Sequence, residues 1–226
     1  MPRETIRLTM ALALAAGLAL WAGPASAQTP APPAVVPLQA PALPWLVVDA
    51  RGGFASLGED ATTASSLGLA AADLPGRART AVVGVHLYPV RRGKVKFGLG
   101  AEAMLGTASS QKIDATGKAV GPTVRRRLEG VSGQISLNFG KGRGWSYITA
   151  GGGPVKLDSY LDDAKPDEAG VTTLNWGGGA RWFTRNHLAF TLDLRFYLTK
   201  PVTATALTAG RERQRVTLIS AGISLK

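Results

Sequence analysis

From His187 to Thr199 the chain alternates with a strict period of two. Leu188, Phe190, Leu192, Leu194, Phe196 and Leu198 share one face, while Ala189, Thr191, Asp193, Arg195, Tyr197 and Thr199 share the other. Side chains alternate across a β-strand, so this segment reads as a strand between two unlike environments. Seven further stretches read as strands, giving eight in all at 45–57, 79–90, 94–107, 124–139, 144–157, 171–184, 187–200 and 213–226. In the third, Val95, Phe97, Leu99, Ala101, Ala103 and Leu105 oppose Lys96, Gly98, Gly100, Glu102 and Met104; in the fourth, Val131, Ile135, Leu137 and Phe139 oppose Ser132, Gln134, Ser136 and Asn138. The fifth carries Gly151-Gly152-Gly153-Pro154, and its faces stay unassigned.

The connections sort themselves. Arg91-Arg92-Gly93, Gly140-Lys141-Gly142-Arg143 and Arg185-Asn186 have the Gly or Asn of tight hairpin turns. Between them fall longer polar connections at 58–78, 108–123, 158–170 and 201–212. Short turns therefore gather at one end of the strands and long loops at the other. A soluble meander has no reason for such sorting, whereas a membrane barrel has this asymmetry and an even strand number. The expected fold is all-β, an eight-stranded antiparallel up-and-down transmembrane β-barrel over 45–226. Its apolar faces would meet lipid and its charged faces would line the lumen.

Composition adds the route. Arg3 and Arg7 precede an apolar run from Leu8 to Trp21, and Ala25-Ser26-Ala27 has the small residues of a cleavage site. Residues 1–27 are expected to be a signal peptide. The run is short of the roughly 20 residues that a membrane helix needs. Residues 28–44 carry Pro30, Pro32, Pro33, Pro37, Pro41 and Pro44 and read as a Pro-rich periplasmic leader. The chain has no cysteine, which excludes a disulfide framework and a lipidated cysteine. Its net charge is +11, or +10 without Arg3, Glu4 and Arg7. In an exported chain that excess suits anionic lipid headgroups, and no nucleic-acid partner is expected.

On these registers the lumen receives Asp49, Arg51, Lys96, Glu102, Arg181, Asp193 and Arg195. Eight strands leave an interior just wide enough for side chains to fill. Charges withdrawn from water must be paired, so a mixed set predicts an ion-pair plug and a closed lumen. Glu102 can reach Arg195 across the ring, and Arg181 and Asp193 lie on neighbouring strands. Trp45, Trp145, Tyr147 and Trp182 fall near the short-turn ends and are candidates for an aromatic girdle. Arg125, Arg126, Arg127, Arg211, Arg213 and Arg215 fall at the opposite ends and are candidate lipopolysaccharide contacts, because guanidinium forks suit phosphate.

Other chemistry is thin. Gly98, Gly100 and Ala103 match a dinucleotide-binding spacing, but the two-residue alternation continues through them and no helix begins there. His86 is expected inward and His187 at a turn, with no Ser–His arrangement and no metal site. Asp162, Asp163, Asp167 and Glu168 read as a solvated acidic loop. No enzyme activity and no cofactor are expected.

Three segments resemble the small outer-membrane β-barrel family, the type found in the transmembrane domains of OmpA and OmpX. They are Gly133-Gln134-Ile135-Ser136-Leu137-Asn138-Phe139-Gly140, Trp145-Ser146-Tyr147-Ile148-Thr149-Ala150-Gly151-Gly152 and the strand from Leu188 to Tyr197. Family members often end on an aromatic residue read by the outer-membrane assembly machinery, whereas this chain ends Ile223-Ser224-Leu225-Lys226. The resemblance implies export through the periplasm to the bacterial outer membrane, contact with that machinery and with outer-membrane lipid, and a monomer. The role it implies is structural or interactive, through surface loops. Two rival classes stand beside it: an outer-membrane lipid-modifying enzyme or narrow gated channel, and a soluble periplasmic ligand-binding barrel.

Overall fold

Eight strands succeed one another: β1 (Leu46–Leu57), β2 (Arg77–Arg92), β3 (Val95–Ile113), β4 (Ala119–Lys141), β5 (Gly144–Leu161), β6 (Val171–Phe183), β7 (Leu188–Thr199) and β8 (Arg215–Leu225). Each pairs antiparallel with the next, and β1 closes on β8. The computed structural model describes residues 44–226 except 142, 163, 165–169, 185–186, 202 and 204–211. The expected signal peptide and most of the expected leader lie outside the described residues.

The wall has two opposite faces. Leu192, Leu194, Phe190, Ile219, Ile223, Val131, Ile135, Val83 and Leu99 are exposed on the outside, while Thr191, Asp193, Arg195 and Ser220 are buried inside. From Leu188 to Leu198 the outward positions cover about 34 Å of strand at ~3.4 Å per residue. A strand tilt of about 40° reduces that to about 26 Å along the barrel axis, close to the height of a lipid-facing band.

The lumen is filled in layers. Toward the short-turn end, Val47, Tyr88, Trp145, Tyr147, Phe183 and Ala189 form an aromatic cluster. A charged layer follows. Above it, Ala55, Leu57, Ala78, Val82, Met104, Leu128, Tyr197, Val216 and Leu218 form an apolar cluster that alternation predicts only as non-lipid-facing. The long connection between β1 and β2 then covers the opening. It contains the helix α1 (Ala61–Ser66), capped by Asp60 through the Thr63 N–H at 2.9 Å. Ala64 and Leu74 of this connection pack against Val124.

One expected loop is mostly strand. The segment 108–123 was expected as a connection, yet β3 runs to Ile113 and β4 starts at Ala119. The Asp114 carboxylate organises the intervening turn, accepting from Thr116 N–H at 2.8 Å, Thr116 hydroxyl at 2.6 Å and Lys118 N–H at 3.0 Å. The Thr116 hydroxyl, helped by these N–H groups, holds the Asp114 carboxyl below the usual carboxylate range. Beyond the barrel both faces of this hairpin meet water, so the hydrophobic alternation that marks a strand disappears there. Further down, β2 and β3 shift register between Leu87 and Val90. Pro89 sits in that irregularity, where the missing N–H costs no ladder bond.

Large inward side chains need bare backbone beside them. A Cβ on Gly177 would stand 2.9 Å from Arg195 Cδ and 2.0 Å from Leu194 O, and one on Gly179 2.7 Å from the Tyr147 hydroxyl oxygen. Gly133, on the outer wall, has nothing within 4 Å of that position. Gly177→Ala should therefore destabilise the barrel by about 1–3 kcal/mol through overpacking. Gly133→Ala should leave stability unchanged or raise it by up to about 1 kcal/mol, by reducing unfolded-chain freedom. Urea unfolding of the two refolded variants measures the contrast; equal effects would contradict the packing described.

Candidate functional site

Alternation carries Asp49, Arg51, Lys96, Glu102, Arg181, Asp193 and Arg195 to the inner face, where all seven are buried. Six of them meet in one layer. Glu102 on β3 accepts Arg195 on β7 at both oxygens, Nη1 to Oε2 at 3.0 Å and Nη2 to Oε1 at 3.1 Å. Arg51 on β1 donates to the same Oε1. Asp193 lies 2.9 Å from Arg51 Nη1 and 3.0 Å from Arg195 Nε, and it accepts the Tyr147 hydroxyl at 2.6 Å. Asp49 pairs with Arg181 and accepts the Ser224 hydroxyl. Arg181 also donates to the Tyr88 hydroxyl at 2.9 Å, and its guanidinium lies 4.5 Å from the Tyr147 ring centre.

Arg181 and Asp193 do not pair, although their strands are adjacent. In register Arg181 stands opposite Thr191 and Asp193 opposite Gly179. Arg181 crosses the ring instead. Lys96 lies apart from the network, 3.4 Å from the Gly140 carbonyl and 4.6 Å from the Trp145 ring centre.

Neutral partners complete the layer, and counting charges misses them. Gln134 donates to Glu102 Oε2 at 2.7 Å, and its carbonyl accepts both Thr149 Oγ1 at 2.8 Å and Arg195 Nη1. The polar face of β4 contains the signal, but a lone glutamine among serines gives no reason to single it out. His86 Nε2 stands 3.0 Å from Asp49 and 3.5 Å from Glu102. These three residues hold ligand-type atoms within 4.8 Å of one another. Sequence reading missed this cluster, because its two carboxylates arrive from two other strands. Arg181 and Arg51 with Arg195 already occupy its two carboxylates, and three guanidinium groups around the site repel a cation. Its donor chemistry fits ion pairs better than metal. Among the described residues, neither histidine side chain hydrogen-bonds a serine or threonine hydroxyl, so no Ser–His nucleophile is assembled.

The expected girdle divides. Trp45 and Trp182 are exposed on the outer wall, whereas Trp145 and Tyr147 are buried inside. Ile148 is exposed, so β5 presents its odd-numbered positions from Trp145 to Thr149 to the lumen. The ambiguous glycine run hid that phase. Trp145 packs on Tyr88 and Phe183 with ring centres 5.4 and 5.3 Å apart. On the outside, Trp182 stacks on Phe190 and Trp176 on Phe196, at 5.9 and 6.1 Å, one pair toward each end of the apolar belt.

The expected arginine run divides for the same reason. A period of two cannot send three consecutive residues outward. Arg125 and Arg127 are exposed, and Arg126 is buried. Arg126 donates to the Gly58 carbonyl at 3.0 Å, the Pro75 carbonyl at 3.3 Å and Gln214 Oε1 at 3.3 Å, tying the covering connection to the strands. Gln214 in turn donates to Asp60. Arg213 and Arg215 are exposed. Arg211 lies outside the described residues, as do Asp163, Asp167 and Glu168. At the same end Lys112 Nζ lies 3.0 Å from Asp73 and holds its carboxyl below the usual range.

No family model matches the chain, and no curated protein does. Among solved structures, Neisserial surface protein A (NspA) is 12% identical with a TM-score of 0.52, over 81% of this chain and 97% of that one. Ail, the attachment invasion locus protein of Yersinia pestis, in complex with the heparin analogue sucrose octasulfate, is 13% identical with a TM-score of 0.44, over 79% of this chain and 98% of Ail. The likeness to NspA is one of fold.

Removing one carboxylate from the charged layer isolates the network's strength. Glu102→Gln leaves Arg51 and Arg195 sharing Asp193 and should destabilise the barrel by about 3–5 kcal/mol. Removing both partners, Glu102→Leu with Arg195→Met, should cost less than the two single changes added together. Tryptophan fluorescence during urea unfolding of the refolded protein reads both. Strict additivity would contradict the coupling.

Proposed function

We propose that this chain is an integral outer-membrane protein of a Gram-negative-type bacterium, with a structural and interactive role, a closed lumen and no catalysis. One observation supports this above the rest: polarity is inverted, with an unbroken apolar belt outside and ion pairs inside. A water-soluble barrel that exposed such a belt would aggregate, because contiguous apolar patches beyond a few hundred Å² are rare on soluble monomers. The filled interior equally argues against a soluble ligand-binding barrel, which needs an internal cavity.

In this reading residues 1–27 direct export and 28–44 form a periplasmic leader. The barrel is inserted by the outer-membrane assembly machinery and stays monomeric, in keeping with its resemblance to OmpA- and OmpX-type barrels. The long-loop end faces outward, carrying the β3–β4 hairpin as the element available to partners. Closure of the lumen is supported by three successive layers of buried aromatic, charged and apolar side chains. Among the described residues, the lipid-modifying reading finds no serine or threonine hydroxyl hydrogen-bonded to a histidine.

Fractionation of cells expressing the full chain should recover it in the outer membrane, and the unboiled protein should migrate anomalously on gels. Recovery in the soluble fraction would overturn the reading. In planar bilayers it should give no stable conductance steps; regular steps would remove the closed lumen while leaving the membrane location. Leu192→Arg places a charge at mid-belt and should cost about 2–4 kcal/mol, against about 0–1 kcal/mol for Ser109→Arg near the rim. The yield of heat-modifiable protein measures the difference.

A further inference from the structure

The rim at the short-turn end is cationic and holds no acidic side chain. The turns and strand ends at 88–95, 139–147 and 182–190 carry Arg91, Arg92, Lys94, Lys141, Arg143 and Arg185, and no Asp or Glu. Glu59, Asp73, Asp114 and Glu129 belong to the opposite half of the barrel.

Three of these cations share one part of the rim. Arg92 stands opposite Val95 where β2 turns into β3. Lys94 lies in that turn, and its carbonyl accepts the Gly140 N–H at 3.0 Å. Arg143 lies in the β4–β5 turn, directly before Gly144, which stands opposite Lys141. The two hairpin turns are therefore side by side. Arg92, Lys94 and Arg143 are exposed, and their side chains make no hydrogen bond or ion pair among the described residues. Arg91 stands opposite the inward Lys96 and already has a partner, so it plays no part here.

Beneath these cations the outer wall is uncharged for several rows. Val95, Phe139 and Ser146 are cross-strand neighbours, then Val90, Phe97, Leu137 and Ile148, then Leu87, Leu99, Ile135 and Ala150. A concavity of about 260 Å³ opens in the second and third of these rows, lined by Phe97, Ile135, Leu137, Ile148 and Ala150. Ala150 stands between Ile135 and Trp176, and Gly178 stands beside Ile148, so the wall is thin there. Next to Arg143, the exposed Trp182 stands opposite Gly144 and marks the level where headgroups begin.

An apolar groove directly below a cluster of cations fits an amphiphile with an anionic head. A free anion would leave the groove unused, and an uncharged lipid would leave the cations unmatched. Guanidinium and ammonium donors suit phosphate oxygens, and basic side chains at a membrane surface attract anionic lipid.

We propose that Arg92, Lys94 and Arg143, with the groove of Phe97, Leu137, Ile148 and Ala150, bind an anionic glycerophospholipid. Its phosphate lies at the short-turn rim and one acyl chain lies along the groove. The proposal rests on the outer-membrane reading and assigns this lipid to the periplasmic leaflet.

The test uses the chain without its expected signal peptide, refolded in detergent and titrated with phosphatidylglycerol, phosphatidylcholine or glycerol phosphate, with retained ligand counted by native mass spectrometry. Parent protein should retain phosphatidylglycerol at least about tenfold better than either of the others. Arg92→Gln/Lys94→Gln/Arg143→Gln should lose about tenfold, and so should Ala150→Phe, which fills the groove and leaves the rim intact. Arg77→Gln/Arg79→Gln/Lys200→Gln removes equal charge at the other rim and should stay within about twofold of the parent. Equal retention of the two lipids by the parent, glycerol phosphate binding as well as the lipid, or parent-like retention by either folded variant overturns the site. Should a variant lose heat-modifiable migration, the three ligands on the parent still decide. A chain that stays dissolved without detergent fails the membrane reading, while an embedded chain indifferent to headgroup charge fails only this proposal.

Discussion

A ring of eight strands is too narrow to hold bulk water and too wide to be filled by small residues alone. This chain meets that constraint with arginine. Arg181 and Arg195 are among the largest fully buried side chains, and each spans part of the interior to reach a carboxylate on another strand. Burying a guanidinium carries a desolvation cost of several kcal/mol unless its donors are met. The layer meets them with Asp49, Glu102 and Asp193, supplemented by Tyr88, Gln134 and Ser224. Gly177 and Gly179 of β6 follow from this choice, because Arg195 and Tyr147 occupy the volume where their side chains would stand.

The same alternation that builds the lumen made much of the fold legible. Strand number, pairing order and the inward set could be read because outward and lumen-facing positions differ so sharply in polarity. Legibility ends where that contrast ends. In β5 the glycine run offers no contrast, so sequence alone leaves Trp145 and Tyr147 as outer-wall candidates although they support the charged layer from below. Above the belt both faces of β3 and β4 are polar, and the strands there carry no alternation that separates them from a loop. Partner choice within the lumen was only partly readable. Glu102 and Arg195 meet as their positions across the ring suggest, but Arg181 chooses Asp49 because a two-residue offset separates it from Asp193.

Arg126 shows how a rim can be locked by the same chemistry. It lies above the apolar layer, and its donors are taken up by two carbonyls of the covering connection and by Gln214. Asp60 joins that group while capping α1, so helix, cover and β8 approach share one set of polar contacts. The outward neighbours Arg125 and Arg127 carry equal charge into a different environment. Three successive arginines thus do separate work, decided by the direction each side chain takes from the strand.

The arrangement of the charged layer also bears on assembly. Asp49 and Arg51 are carried by the first strand, yet their partners come from β3, β6, β7 and β8. Asp49 is separated by 132 residues from Arg181 and by 175 from Ser224. Until the last strands arrive, Asp49 lacks Arg181 and Ser224 and Arg51 lacks Asp193, and a charge withdrawn from water without its partner is strongly unfavourable. An open sheet of the early strands is therefore a poor stopping point, because its inner face carries incompletely paired charge and its edges carry unpaired backbone. Closure satisfies both at once: the β1–β8 ladder removes the edge as Ser224 reaches Asp49. Non-local pairing of this kind slows folding, and it ties satisfaction of these charges to completion of the ring.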